Sequence, residues 1–373
     1  MLRKSLGRQR QFSSFSSRII DSELSHRLNH YESQKPTPNT IQHFINLSGD
    51  RAALYNLIRG EIPVRLSRIV PSLPQYFSPA VYQQRTSHFL QDYFEMTFKE
   101  IEQLPPRIDS IDKHIESKFL EVLVRAGIRL RGTTEMVSES LLNSGAVDRK
   151  EDIVHLQPVL TELFHRNLSI DVLVNIYKPK WTKKINNSTG IDPANDLVEN
   201  IEAAFDDARY LCEQQYISAP EIVIENNTDC VFSCIPSHNY LIFFEIFKNS
   251  LRATAETHSE EDFLPPVEVN IGREEDRVLV TISDRGGGMS PSKLERSKQF
   301  FSSSAILSTM SLYQGAHSSP LAGFGFGLGM AKIYAEYFGG SFYISSEEGK
   351  GTKVQIELPA NATSAIENLQ CYS

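Results

Sequence analysis

Several things are scarce in this chain of 373 residues, and each scarcity removes a class of protein. Cysteine occurs four times, at Cys212, Cys230, Cys234 and Cys371, with no C-x-x-C pair and no histidine cluster nearby. A disulfide framework or a structural zinc site needs closely paired ligands, so free thiols in a reducing compartment fit better than a metal at Cys230 and Cys234. Basic residues are outnumbered, 38 Lys and Arg against 46 Asp and Glu, which leaves a net charge of −8. Non-specific nucleic-acid binding needs a basic footprint, and the composition argues against one. Long apolar runs are missing. The longest, around Tyr240 to Phe247, is interrupted by Glu245 and falls short of the roughly 20 residues that cross a bilayer. Internal repeats and low-complexity segments are missing too. The composition that remains, 40% hydrophobic and 23% charged, is that of a globular protein with a sizeable core.

The first twenty residues stand apart. They carry Arg3, Lys4, Arg8, Arg10 and Arg18 with several serines, and no acid occurs before Asp21. Leu2, Leu6, Phe12, Phe15 and Ile19 supply apolar groups. A basic, serine-rich, acid-free amphipathic start is what a mitochondrial transit peptide requires; a disordered basic tail is the plainer alternative.

From Asp21 to Lys184 the pattern is helical. Leu54, Leu57, Ile58, Ile62, Val64, Leu66 and Ile69 recur at mostly three- and four-residue spacings between Arg51 and Val70. The stretches Ser87 to Ile101, Lys118 to Leu142 and Leu156 to Tyr177 repeat that pattern, with Pro71, Pro74, Pro105 and Pro106 at the joints. Four amphipathic helices so arranged predict a four-helix bundle. Lys178 to Asn195 is polar, holds Pro179, Gly190 and Pro193, and reads as a linker region.

The second half alternates helices and strands. Helices are expected at Leu197 to Gln214, Asn239 to Thr257 and Ala331 to Phe338. Strands are expected at Glu221 to Glu225, Val267 to Gly272, Arg277 to Ser283, Gly340 to Ser346 and Thr352 to Leu358. That order gives an α/β sandwich of one sheet and one helical layer, so the whole chain is α+β.

Three local patterns carry chemistry. On the helix Phe243 to Arg252, the residues Glu245, Asn249 and Arg252 follow i, i+4, i+7 spacing and share one face. A carboxylate and a carboxamide one turn apart suit a hard cation such as Mg²⁺, and Lys248 and Arg252 can meet phosphate oxygens. Alone, E-x-x-x-N is common by chance. Next, Asp284 ends a strand and is followed by Arg285-Gly286-Gly287-Gly288-Met289. Such an Asp can accept a hydrogen bond from an exocyclic amine of adenine while the glycines let backbone approach the base; an Asx turn is the plainer reading. Finally, Gly323-Phe324-Gly325-Phe326-Gly327-Leu328-Gly329 precedes a helix, so its amides can cradle phosphates. It is no Walker loop, since no G-K-[ST] follows, and no dinucleotide fingerprint, since no strand opens it.

In this order within about a hundred residues, and followed by Gly351-Thr352 at the last strand, these elements resemble the N, G1, G2 and closing boxes of the GHKL (Bergerat) ATPases and kinases. That superfamily includes histidine kinases, Hsp90, type II topoisomerases and the mitochondrial protein kinases. The chain is most similar to the mitochondrial 2-oxoacid dehydrogenase kinases, which act on pyruvate or branched-chain dehydrogenase. The similarity rests on Ala208-Arg209-Tyr210-Leu211-Cys212-Glu213, Ile235-Pro236-Ser237-His238, Glu245 to Thr254, Gly323 to Leu328, and Tyr334 to Gly340. Pro36-Thr37-Pro38 and Glu61-Ile62-Pro63-Val64-Arg65-Leu66 extend it into the helical half.

The resemblance implies a layout of transit peptide (1–20), helical bundle (21–184), linker (185–195), GHKL ATP-binding kinase domain (196–360) and tail (361–373). It implies ATP and Mg²⁺ as cofactors. Glu245 would be the general base or its organiser, and Asn249 the Mg²⁺ ligand. Arg252 would face the phosphates, and Asp284 would meet adenine with Gly286, Gly288 and Thr352 around it. Ser303 and Ser304 would open a lid running from Ala305 to Pro320. Gly323, Phe324, Gly325, Phe326, Gly327 and Leu328 would line the phosphates. The implied partners are the E1 alpha subunit and the lipoyl domain of E2 in the mitochondrial matrix, with a homodimer, no nucleic acid and no membrane span. Pyruvate is slightly favoured over branched-chain substrate because its complex is the more widespread target.

Three departures from the family pattern stand out. Its R-x-R-H segment is Arg129-Leu130-Arg131-Gly132 here, without the His. Asp171 stands where the family carries Arg, and the chain lacks the long Trp-bearing tail of the pyruvate-type enzymes. A catalytically weakened nucleotide-binding scaffold is therefore one alternative. A histidine kinase is another, although His26, His30, His43, His155 and His165 lack the setting of a phosphoacceptor.

Overall fold

The computed structural model describes residues 22–147, 150–177, 190–216, 218–226, 228, 230–261, 263–301 and 325–372. The basic first twenty residues, the expected lid, and Ser303, Ser304, Gly323 and Phe324 lie outside the described residues.

The first part is helical: α1 (Ser22–Glu32), α2 (Ile41–Leu47), α3 (Arg51–Ile69), α4 (Leu73–Tyr76), α5 (Pro79–Tyr82), α6 (Arg85–Glu102), α7 (Lys113–Arg131), α8 (Thr133–Asn143) and α9 (Lys150–Ile176). The long members α3, α6, α7 and α9 close a ring, in which α3 and α7 each pack on both α6 and α9. The starts of α3 and α7 are set by side chains that satisfy the orphan amides of a first turn. Asp50 accepts from Ala52 and Ala53, and Asp112 accepts from Ile115. Aromatic residues fill the centre, with Tyr55 edge-on to Phe119 at 4.5 Å and Phe119 edge-on to Tyr177 at 4.7 Å. Burying each such side chain stabilises the fold by about 1.5–3 kcal/mol.

The segment Lys118 to Leu142, expected as one helix, is two. α7 stops at Arg131 and α8 starts at Thr133. Asn167 of α9 fills the break, donating to Leu130 O at 3.3 Å and accepting from Thr133 Oγ1 at 3.2 Å. A cross-helix side chain thus caps the Leu130 carbonyl, which a continuous helix would have bonded itself, and holds the Thr133 hydroxyl that opens α8.

The second part comprises β1 (Asp192–Asp196), α10 (Leu197–Tyr216), β2 (Ile222–Asn226), β3 (Val231–Cys234), α11 (Pro236–Thr257), β4 (Val267–Glu274), β5 (Arg277–Ser283), α12 (Pro291–Ser297), α13 (Gly327–Tyr337), β6 (Ser341–Glu347) and β7 (Gly351–Pro359). A five-stranded sheet runs β2-β4-β5-β7-β6, with β2 parallel to β4 and the other neighbours antiparallel. Its register sets Val269 opposite Ile282, and Val280 opposite Ile356. The alternating residues Val267, Val269, Ile271, Val278, Val280 and Ile282 are all buried in one cluster with Ile242, Phe243, Ile246 and Phe247 of α11. A slip of one residue would turn every one of them outward, so register and layer packing enforce each other. This is the helix-on-sheet layer expected, and the chain as a whole is α+β. Two strands were not expected. Asp192–Asp196, in the polar stretch read as linker, pairs antiparallel with Val231–Cys234 as a separate ribbon. Its sequence, with Pro193 and no alternation, carries no strand signal.

The last residues return to the helical part. Ala362 and Ala365 accept backbone bonds from Gln42 and Ile41 of α2, and Ile366 bridges Thr40. Glu367 is buried there against Arg65 of α3.

Candidate active site

The apolar helix α11 carries the polar face that the spacing predicts. Glu245 keeps 22% of its side chain exposed, and its Oε1 lies 2.7 Å from Lys248 Nζ. The other oxygen faces the start of α13, where a Cβ added to Gly327 would lie 2.3 Å from Glu245 Oε2. Asn249 turns its amide nitrogen back onto Glu245 O at 2.8 Å, which leaves its carboxamide oxygen as the outward end. Such an oxygen beside a carboxylate suits Mg²⁺, which binds through one or two protein oxygens and completes its shell with water and phosphate. Among the described residues no group of three or more His, Cys, Asp and Glu is placed to hold a metal by itself. Arg252 follows on the same face, half-buried and within electrostatic reach of Tyr216.

The opposite wall begins where β5 ends. Asp284 is only 8% exposed. Its Oδ1 accepts from the Gly286 amide at 3.0 Å and the Thr352 amide at 3.1 Å, while Asp284 N donates to Thr352 O at 2.9 Å. Burial raises its pKa, and hydrogen bonds from Gly286, Thr352 and Ser250 oppose that rise. The Asp284 carboxyl is thus an oriented acceptor fixed between β5, β7 and α11. Gly286 lies so close to α11 that a Cβ would stand 2.7 Å from Ala253 Cβ. Gly288, at φ +61, leaves no room for a side chain, since a Cβ would meet Glu347 O at 2.0 Å. Thr352 Oγ1 lies 2.9 Å from Ser346 Oγ. Asp284, Ser346, Gly351 and Thr352 line an open cavity of about 330 Å³.

Gly325 to Gly329, the described part of the glycine run, lead into α13 on the third side. Gly325 has φ +79, and Gly327 opens α13 against Glu245. Phe326 turns its ring away, into a cluster with Phe164 at 5.4 Å, Phe300 at 5.6 Å and Phe301 at 4.6 Å. Leu328 packs on the sheet-side core. The side chains of these two residues therefore anchor the loop to apolar cores. Gln157 of α9 clasps Phe300 from the bundle side, accepting from Phe300 N at 2.7 Å and donating to Phe300 O at 3.2 Å. The helical part thus holds one flank of the segment that leads towards Ser303.

α11 is the common element: Glu245 meets Gly327, Ser250 meets Asp284, and Ala253 meets Gly286. The structure brings Glu245, Asn249, Asp284, Gly286, Gly327 and Thr352 around one helix and the sheet end beside it. Sequence reasoning missed the Ser250 contact to Asp284 and the Gln157 clasp. Ser250 follows Asn249 directly, so its position on the helix was a usable signal; Gln157 had none. Gly132, where the family pattern has His, sits at the α7–α8 junction, and neighbouring Arg129 is bound to Glu100 at 2.7 Å.

A buried acid at a strand end, a glycine-rich helix start and a Glu/Asn helix face beside a mixed sheet have the layout of a GHKL-type ATPase site. Residues 235–362 match the family described as histidine kinase-, DNA gyrase B-, and HSP90-like ATPase. Similarity to curated proteins runs through the helical half as well. A mitochondrial [pyruvate dehydrogenase (acetyl-transferring)] kinase of Ascaris suum is 30% identical over 94% of this chain and 90% of its own. A probable enzyme of the same name from Caenorhabditis elegans is 30% identical over 94% of this chain and 89% of its own. Isozyme 1 of Rattus norvegicus is 28% identical over 95% of this chain and 84% of its own. The chain belongs to the pyruvate dehydrogenase kinase family.

Proposed function

We propose that this chain is an ATP-dependent serine kinase of the mitochondrial matrix that phosphorylates, and so inactivates, the E1 alpha subunit of a 2-oxoacid dehydrogenase complex. The observation that carries the reading is the partly exposed carboxylate of Glu245, one helical turn from the Asn249 carboxamide and pressed on the first residue of α13. Pyruvate dehydrogenase is the favoured substrate, because the relatives named above are kinases of that enzyme. Docking on a lipoyl domain of E2 and homodimerisation belong to the same proposal.

Asp284 and the backbone of the Gly286–Gly288 turn would hold adenine, and Arg252 with the amides at the start of α13 would hold the phosphates. Asn249 would hold Mg²⁺ with its carboxamide oxygen, and the ion supplies charge neutralisation at the β- and γ-phosphates. Glu245 would accept the proton of the serine hydroxyl as Oγ forms its bond to the γ-phosphorus. The bond from that phosphorus to the bridging oxygen breaks, and ADP leaves with the electron pair. A positioned base is worth about 10²–10⁴ in rate.

Gly132 supports a second reading, a nucleotide-binding scaffold with little transfer, since no imidazole stands at that place in the bundle. Incubation of the protein with Mg-ATP and each reconstituted dehydrogenase complex separates the two. The kinase reading expects acid-stable phosphate on one E1 alpha subunit. ATP binding with no transfer to either would leave the scaffold, and acid-labile phosphate on the chain itself would point to histidine phosphorylation.

A further inference from the structure

Resting on the kinase reading above, we infer that Lys248 is a positioning residue for Glu245, not a phosphate ligand. The spacing i, i+3 puts both on neighbouring parts of the α11 surface, and Lys248 Nζ lies 2.7 Å from Glu245 Oε1. Lys248 is itself held from below. Tyr240, Phe244 and Lys248 follow i, i+4, i+8 and form a ladder on one helical face. The Tyr240 and Phe244 rings stack at 5.6 Å with 12° between their planes, and the ammonium sits 4.9 Å from the Phe244 centroid. The foot of the ladder is fixed to α10, where Tyr240 donates to Asp207 Oδ2 at 2.7 Å. A cation over an aromatic face gives up freedom and gains attraction, so a flexible four-carbon stem ends in a defined place. Only 11% of the Lys248 side chain is exposed.

The consequence for Glu245 is a carboxylate fixed on two sides. Lys248 holds one oxygen, and the Cα of Gly327 walls the other. In a chain whose bundle offers Gly132 where the family pattern has His, this ladder is the described device that orients the base. Orientation matters because a misplacement of about 1 Å at a reacting group costs about 10²-fold in rate.

The test is a double-mutant cycle with Glu245→Gln and Lys248→Met, plus Lys248→Arg, on the full chain with Mg-ATP and the dehydrogenase complex it phosphorylates. Positioning predicts that Lys248→Met lowers kcat about 10²-fold while Mg-ATP affinity stays within about twofold. It also predicts that Lys248→Met slows the Glu245→Gln protein no further, and that Lys248→Arg recovers most of the turnover. An affinity for Mg-ATP weakened tenfold or more, with independent losses in the cycle, would overturn the inference and make Lys248 a phosphate contact. If the unmodified chain transfers no phosphate, the kinase reading fails. The pair is then judged by thermal melting of the same four proteins, where coupled shifts keep it and additive shifts remove it.

Discussion

Two of the molecule's charged clusters contrast sharply, one at the seam between the helical part and the sheet layer, the other on α11. At the seam, Arg65 donates to Glu367 Oε1 at 2.8 Å and Oε2 at 2.9 Å, and also to Ser169 O at 2.7 Å. Glu367 further accepts from Asn39 N and Nδ2, both at 3.0 Å, and from Tyr337 OH at 2.6 Å. Neither charge is exposed. On α11, Glu245 has one oxygen on Lys248, and among the described residues nothing donates to the Asn249 carboxamide oxygen. The first group has spent its hydrogen-bonding capacity inside the protein and has nothing to offer a ligand. The second holds capacity in reserve at a half-buried site. Burial and satisfaction together separate a structural ion pair from one that keeps capacity for a ligand, although both pair a carboxylate with a cation.

The contrast can be broken by exchanging the effects. Glu245→Gln should lower kcat by about 10²–10⁴ and leave the melting temperature close to that of the parent, as steady-state transfer and thermal unfolding on one sample will show. A comparable loss of melting temperature would make Glu245 structural.

Arg65→Met should do the reverse. It leaves Glu367 buried without its cation, and breaking such a pair costs about 3–5 kcal/mol. Denaturant unfolding should show that loss, while transfer below the new transition persists. Replacing Glu367 by Met in the same chain should return much of the stability, since two apolar groups no longer need each other.

A smaller effect comes from pH. Burial lowers the pKa of His238 to about 3. Burial also lowers that of His165 to about 4, against the opposing charge of Glu367. Both stay neutral in the fold while the unfolded chain takes up protons below about 6.5, so stability should fall as pH drops from 6.5 towards 4. His165→Gln should flatten that slope in melting curves taken between pH 7.5 and 5. Glu367 acts in a lower window. Burial works against its charge, yet Arg65 and the bonds from Tyr337 and Asn39 hold its pKa below the usual value of 4.5. Its contribution is present above that value and is lost as pH falls through the folded-state pKa. A profile flat to pH 5 would contradict the account of the two histidines.

The smallest effect belongs to the surface. Arg285 pairs with Glu268 at 2.8 Å, with 64% and 42% of the two side chains exposed. Arg285→Ala should change stability by about 0–1 kcal/mol.

The same contrast explains what the sequence could disclose. Glu245, Asn249, Asp284 and the glycines are legible because each is tied to a local pattern: a helical face, a strand end, a loop before a helix. The four long helices and the five-stranded sheet follow from periodicity for the same reason. The seam is not legible. Asn39 and Glu367 are bonded across 328 residues of sequence, and no local spacing announces a buried acid in a short tail. The α7–α8 break depends on Asn167, a residue of a different helix. Strand β1 exists because β3 lies beside it, not because of its own residues. Local chemistry is written locally, whereas closure between parts is written in pairs of distant residues.

The most direct measurement is Mg-ATP binding and phosphate transfer to E1 alpha, both on Glu245→Gln. The account predicts nucleotide affinity like that of the parent with transfer reduced by about 10² or more. Transfer at the parental rate would contradict it.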